Sequence, residues 1–96
     1  MEKEEIIKEV IGIIRRYLPG GEFRIFLFGS WAKDSAEPGS DIDIGILGAG
    51  AIDEMLLLRI KGEIGSIPTL RRIDVVDLNR TDESFQKEIL SYARGL

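Results

Sequence analysis

Two aspartates, Asp41 and Asp43, alternate with isoleucines in "DIDIGIL", residues 41–47. Side chains two positions apart on a β-strand share a face, so the two carboxylates project together while Ile42, Ile44 and Ile46 enter a core on the other side. Adjacent carboxylates repel, and a half-buried pair has one proton affinity raised unless a cation sits between them. Hard divalent cations take oxygen ligands, and Mg²⁺ commonly binds one or two carboxylates together with substrate phosphates. Aspartate is depleted in strands. On the pair alone, a metal site and a solvent-facing strand edge are about equally supported.

A second feature lies upstream. "FRIFLF", residues 23–28, has the composition of a strand buried on both faces and runs straight into Gly29-Ser30. Glycine there lets the chain turn sharply and lets a ligand approach the backbone. The following N–H groups and the Ser30 hydroxyl then face outwards, an arrangement suited to phosphate. By itself a Gly-Ser after a strand is usually a turn; ten residues before an Asp-x-Asp strand, it can supply phosphate contacts beside metal ligands. "GSWAKDS" lacks the G-x-x-x-x-G-K-[ST] spacing of a P-loop, and the strand context excludes an EF-hand loop. A third carboxylate is available in "RRIDVVDL", residues 71–78. Asp74 and Asp77 lie three apart and so point oppositely. Asp74, mid-strand, is costly without a partner and is assigned to the site; Asp77, near the strand end where solvation is easy, is assigned to the rim.

The elements that must hold these groups follow from periodicity. Ile6, Ile7, Val10, Ile11, Ile14 and Leu18 mark an amphipathic helix over 3–18, stopped by Pro19-Gly20-Gly21. Strand 23–28 leads to a short turn or helix from Ser30 to Lys33 and a loop of turn residues at 34–40. Strand 41–47 is followed by a helix over 51–64 with Ile52, Met55, Leu56, Ile60 and Ile64 inward, then strand 71–78. A last helix over 82–94, capped by Thr81, buries Phe85, Ile89, Leu90 and Ala93 and ends at Gly95. The order predicts one α/β or α+β domain over 1–96, with a small mixed sheet of about three or more strands flanked by helices.

Composition narrows the chemistry. With 96 residues there is room for one core and little else. The chain has no Cys and no His, which removes disulfides, thiolate zinc and the commonest general base; catalysis would have to use carboxylates, hydroxyls, cations and backbone. A net charge of −4 argues against direct nucleic-acid binding. No apolar run approaches a membrane span, and the charged N-terminus is unlike a signal peptide, so a cytoplasmic location is expected.

Gly29-Ser30, ten residues and then Asp41-Ile42-Asp43 form G-S-x10-D-x-D, which resembles the signature of the DNA polymerase β-like nucleotidyltransferase superfamily. The small size and a third Asp on a later strand resemble its minimal nucleotidyltransferases. The resemblance implies that fold, transfer of a nucleoside monophosphate from a triphosphate such as ATP, and two Mg²⁺ ions. It further implies an antitoxin role beside a helical HEPN-type partner that receives AMP. By position, Gly29 and Ser30 match the phosphate-binding pair, Asp41 and Asp43 the metal-bridging carboxylates, and Asp74 the third, which orients the attacking hydroxyl. Where the family often has Arg after the Gly-Ser and Gly four positions after the Ser, this chain has Trp31 and Asp34. Lys33 is the candidate replacement cation near the triphosphate, with a solvated lysine as the alternative. Trp31 is expected in the core or at a partner contact rather than as a surface for the base.

Other readings stay open at this stage. One is a module that neutralises its partner by contact alone, with a site that only senses nucleotide; a weaker one is transfer to a small molecule, for which the chain has no acceptor lobe. Nothing in the sequence could hold an acceptor, so a second protein is expected to complete the cleft. Its docking surface is placed on helices 51–64 and 82–94, at Leu57, Leu58 and Tyr92, with packing inside the domain or a homo-oligomer as the alternative.

Overall fold

The computed structural model describes residues 2–33 and 41–96; the expected loop at 34–40, including Asp34, lies outside them. Helix α1, Lys3–Tyr17, is closed at its start by the Glu5 side chain, which accepts from the Glu2 N–H at 3.4 Å. It buries Ile6, Val10 and Ile14, as the spacing predicts, together with Ile13, which the expected stripe did not include; Ile7 and Ile11 are only half-buried. Strands β1, Phe23–Phe28, and β2, Ile42–Gly48, pair antiparallel. Helix α2, Glu54–Ile64, then carries the chain across to β3, Ile73–Asp77, which runs parallel to β2; a parallel neighbour requires such a crossover. Helix α3, Glu83–Leu90, leads to β4, Arg94–Gly95. The sheet is mixed, in the order β3-β2-β1-β4.

Alternation assigns the two faces of this sheet. Ile25, Leu27, Ile42, Ile44, Ile46 and Val75 join α1 and α2 in the main core. Phe26 and Phe28 face the other way and meet Leu78 and Ile89, from α3, in a smaller cluster. Gly45 belongs to this second face, where an added Cβ would stand 2.9 Å from Leu78 Cδ1. Register then orders that face in rows: Phe26, Gly45 and Val76 form one, and Phe28, Asp43 and Asp74 the next. The second cluster therefore gives way, one row along, to carboxylates. Among the described residues no helix is long and apolar enough to cross a membrane.

Several expectations change. Helix α2 starts at Glu54 instead of 51, capped by Asp53, which accepts from Leu56 N at 3.2 Å. Met55 is exposed rather than inward. Asp82, not Thr81, caps α3, accepting from Phe85 N at 2.8 Å; Thr81 instead donates its hydroxyl to Leu78 O. The last helix stops at Leu90, because the chain turns there to reach β1: Gly95 pairs with Phe26 and Arg94 with Leu27. Phe85 and Leu90 are exposed, and Ile89 is the one fully committed core residue of α3.

Candidate active site

The site is built at the junction of β1, β2 and β3. Phe28 and Asp43 are register partners across β1 and β2, and Asp43 and Asp74 are register partners across β2 and β3. Asp43 therefore sits between the turn that ends β1 and the third carboxylate. Immediately after Phe28 the chain enters a single 3₁₀ turn, Gly29–Trp31. Gly29 has φ +74°, a conformation that favours glycine. A Cβ at this position would collide with Asp43 Oδ2 and lie 3.0 Å from its Cγ. The Gly-Ser turn and the Asp-x-Asp strand are thus in contact, so the two sequence features form one place in the fold.

The electrostatics of that place are unbalanced. Burial first, then the neighbouring Asp74 and Asp41, raise the Asp43 carboxyl above its ordinary value of 3.8, and Arg72 only partly offsets this. Asp74 is half-exposed, and its Oδ1 accepts from Arg72 Nε at 3.2 Å. Asp41 is exposed and precedes the first residue of β2. The donor set, with Asp43 repelled by both Asp74 and Asp41, fits the chemistry of a hard divalent cation. In the conformation described, no three acidic side chains among the described residues close into a ready-made metal cage.

The turn is held from the far end of the chain. Gly29 N donates to the Tyr92 hydroxyl at 3.2 Å, while Gly29 O accepts from Ala32 N and Lys33 N, each at 3.2 Å. Ser30 is half-buried beside Gly29. Lys33 is exposed, with its ammonium 4.4 Å from the centre of the Tyr92 ring. Trp31 packs against the main core, with Lys3 and Arg71 at 4.6 and 5.1 Å from its ring centre, in keeping with a core role.

Asp77 is not a rim residue. It is buried on the core face, in register with Ile46, and its oxygens accept from Ile52 N at 2.8 Å and Asn79 N at 3.0 Å, with Arg80 Nε at 3.4 Å. Backbone N–H groups and a guanidinium replace the water it would otherwise need. Of the two readings of Tyr92, the structure favours packing inside the domain: it lies half-buried against both apolar clusters. Leu57 is likewise half-buried against the main core, whereas Leu58 is exposed. The sequence reading missed Arg72 and Tyr92 as site neighbours. Arg72 had a signal, a cation two residues before the chosen carboxylate; Tyr92 had none, since its partner is 63 positions away.

Solved structures share this fold. A toxin–antitoxin complex with AMP-PNP matches at TM-score 0.72 and 23% identity, covering 98% of this chain and 72% of that one. A tri-AMPylated Shewanella oneidensis HEPN toxin in complex with an MNT antitoxin gives 0.71 and 21%, over 98% and 71%. A putative minimal nucleotidyltransferase gives 0.65 and 20%, over 100% and 97%. Comparison with curated protein sequences gives no match. The model of the polymerase beta nucleotidyltransferase family matches residues 23–96, which run from the first residue of β1 through Gly29, Asp43 and Asp74. By that match over more than half its length, the chain belongs to the polymerase beta nucleotidyltransferase family.

Proposed function

We propose that this protein is a metal-dependent nucleotidyltransferase that transfers AMP from ATP to a hydroxyl of a HEPN-type partner protein, in the cytoplasm, as the antitoxin of that pair. The observation that carries the reading is the contact between Gly29 and Asp43, with Asp74 in register on the next strand. That contact brings a phosphate-binding turn against a carboxylate set. The AMP-PNP complex and the tri-AMPylated HEPN toxin among the structural neighbours support the choice of nucleotide and acceptor.

Asp41, Asp43 and Asp74 would hold Mg²⁺, which supplies charge stabilisation at the entering and leaving oxygens of an in-line displacement. Gly29, which has no side chain, would let the outer phosphates approach the turn closely, Ser30 would bind them through its own donors, and Lys33 would add a cation at the end of the same turn. Asp74, the second residue of β3, is half-exposed, where it can orient the acceptor hydroxyl and take its proton. The acceptor oxygen bonds to the α-phosphorus, the bond from that phosphorus to the bridging oxygen breaks, and pyrophosphate leaves. Positioning of the acceptor is worth ~7–11 kcal/mol of a barrier, so the partner must supply it, and the isolated protein is expected to bind nucleotide but turn over slowly.

The direct test is intact-mass spectrometry of the purified HEPN-type partner after incubation with this protein, ATP and Mg²⁺. The reading expects AMP adducts on the partner with wild type and none with Asp43→Asn, which removes a charge and little volume. If Asp43→Asn neutralises the partner as fully as wild type with no adduct on either, contact is the mechanism and the transferase reading fails.

A further inference from the structure

We propose that Tyr92 is a positioning residue for the phosphate-binding turn, holding both of its ends: its hydroxyl fixes the Gly29 amide and its ring fixes the Lys33 ammonium. This rests on the nucleotidyltransferase reading above for its functional meaning, and on geometry alone for the hold itself.

The turn has little to stiffen it locally. Gly29 is in the left-handed region, where a glycine gives up wide conformational freedom to be fixed, and the 3₁₀ turn that follows is only three residues long. Its internal bonds, from Ala32 N and Lys33 N, both end on Gly29 O. They tie the turn's ends to each other, while its middle is held by Trp31 and Ala32 against the main core. Tyr92 anchors the two ends, through the 3.2 Å bond from Gly29 N and the 4.4 Å approach of Lys33 Nζ to its ring.

Tyr92 is itself held on three sides. Its backbone follows the end of α3, where Ala93 N donates to Ile89 O at 2.9 Å. Pairing of β4 with Phe26 and Leu27, continued by Leu96 N donating to Ile25 O at 2.9 Å, pins the chain just beyond it. Its ring packs against both apolar clusters. The two-residue strand β4 thus has a task beyond widening the sheet: it carries rigidity from the core to a glycine turn at the mouth of the site. A purely space-filling tyrosine would use the ring and leave the hydroxyl dispensable.

The test compares Tyr92→Phe, which keeps the ring, with Tyr92→Leu and Lys33→Met. In the protein without nucleotide, hydrogen exchange at the amides of residues 29–33 should speed up in Tyr92→Phe by roughly fivefold, the value of one net hydrogen bond, with the melting temperature lowered by no more than about 4–8 °C, the shift that one such bond makes in a domain of this size. Calorimetric titration with a non-hydrolysable ATP analogue and, separately, AMP, each with Mg²⁺, supplies the second readout. Tyr92→Phe should weaken the triphosphate by about 3–10-fold and leave AMP unchanged, because the turn serves the outer phosphates. Tyr92→Leu should lose more, and adding Lys33→Met to it should cost little further, since the ring that places Lys33 is already gone. Wild-type exchange at residues 29–33 in Tyr92→Phe, or equal losses for AMP and triphosphate, would overturn the proposal. A wild-type protein that binds neither nucleotide would overturn the transferase reading, and the exchange result would still decide whether Tyr92 holds the turn.

Discussion

Strand β3 carries two aspartates with opposite fates. The Asp74 side chain is 37% exposed and lies beside the Asp43 carboxylate; the Asp77 side chain is 2% exposed and surrounded by donors. Asp77 accepts two backbone N–H groups and faces Arg80, which also donates to Ile52 O at 2.6 Å. It ties the approach to α2 to the end of β3. Asp74 has one exposed arginine and lies beside Asp43, whose charge the fold disfavours. A carboxylate whose every oxygen is answered by the protein has its charge fully used by the fold. Carboxylates left repelling one another leave room for a cation from outside.

This contrast can be broken most sharply in activity. Asp43→Asn should reduce transfer by roughly 10³-fold, since the charge stabilisation supplied by a bound metal is worth several kcal/mol. Asp77→Asn, assayed per folded molecule, should transfer at close to the wild-type rate. Comparable losses in both would mean that the two regions are not functionally distinct.

Stability should separate them in the reverse direction. Asp77→Ala strands Ile52 N, Asn79 N and Arg80, and should cost ~2–4 kcal/mol in urea unfolding. Asp43→Asn without divalent cation should be stabilising at neutral pH. The sign follows from the raised Asp43 proton affinity: the protonated form is favoured in the folded state, so stability from this group is present below 3.8 and lost as pH rises through the raised folded value. The gap between variant and wild type should therefore open across the acidic range above 3.8 and close on adding Mg²⁺ with ATP. Denaturation midpoints measured from acid to neutral pH, with and without Mg²⁺ and ATP, check both statements.

The smallest effect belongs to Arg72. Its pair with Asp74 is exposed, so Arg72→Gln should change stability by less than ~1 kcal/mol. The same change removes a cation that competes for the carboxylates, and Mn²⁺ binding measured in the absence of nucleotide should tighten by roughly threefold. Weaker Mn²⁺ binding in the variant would show that Arg72 supports the carboxylate set instead of competing with it.

How far the sequence reached follows the range of the interactions involved. The rows of the sheet were legible because alternation in "DIDIGIL" is local: one residue of slip would put Ile42, Ile44 and Ile46 in water. Gly29 was legible as a turn, though not as the residue whose missing Cβ makes room for Asp43. Asp77 was misplaced because the contact that takes it out of water is remote: Asn79 N and Arg80 are two and three residues on, as for any aspartate starting a turn, but Ile52 N is 25 positions away. The end of α3 was misread for a similar reason. Residues 91–94 continue a plausible helical stripe, yet pairing of Arg94 and Gly95 with β1 draws them out of it, and a two-residue strand has no periodicity to detect. Tyr92, read as surplus surface, is where that error had its greatest consequence.

The central claim is that Asp41, Asp43 and Asp74, together with the Gly29 turn, form one cation and triphosphate site. The most direct measurement is the melting temperature of wild type and of the Asp41→Asn, Asp43→Asn, Asp74→Asn triple variant, each with and without Mg²⁺ and a non-hydrolysable ATP analogue. A ligand that binds only the folded state stabilises it by mass action, by ~2.7 kcal/mol at a hundredfold excess over Kd. The account predicts a clear rise for wild type and none for the triple variant; an equal rise in both would contradict it.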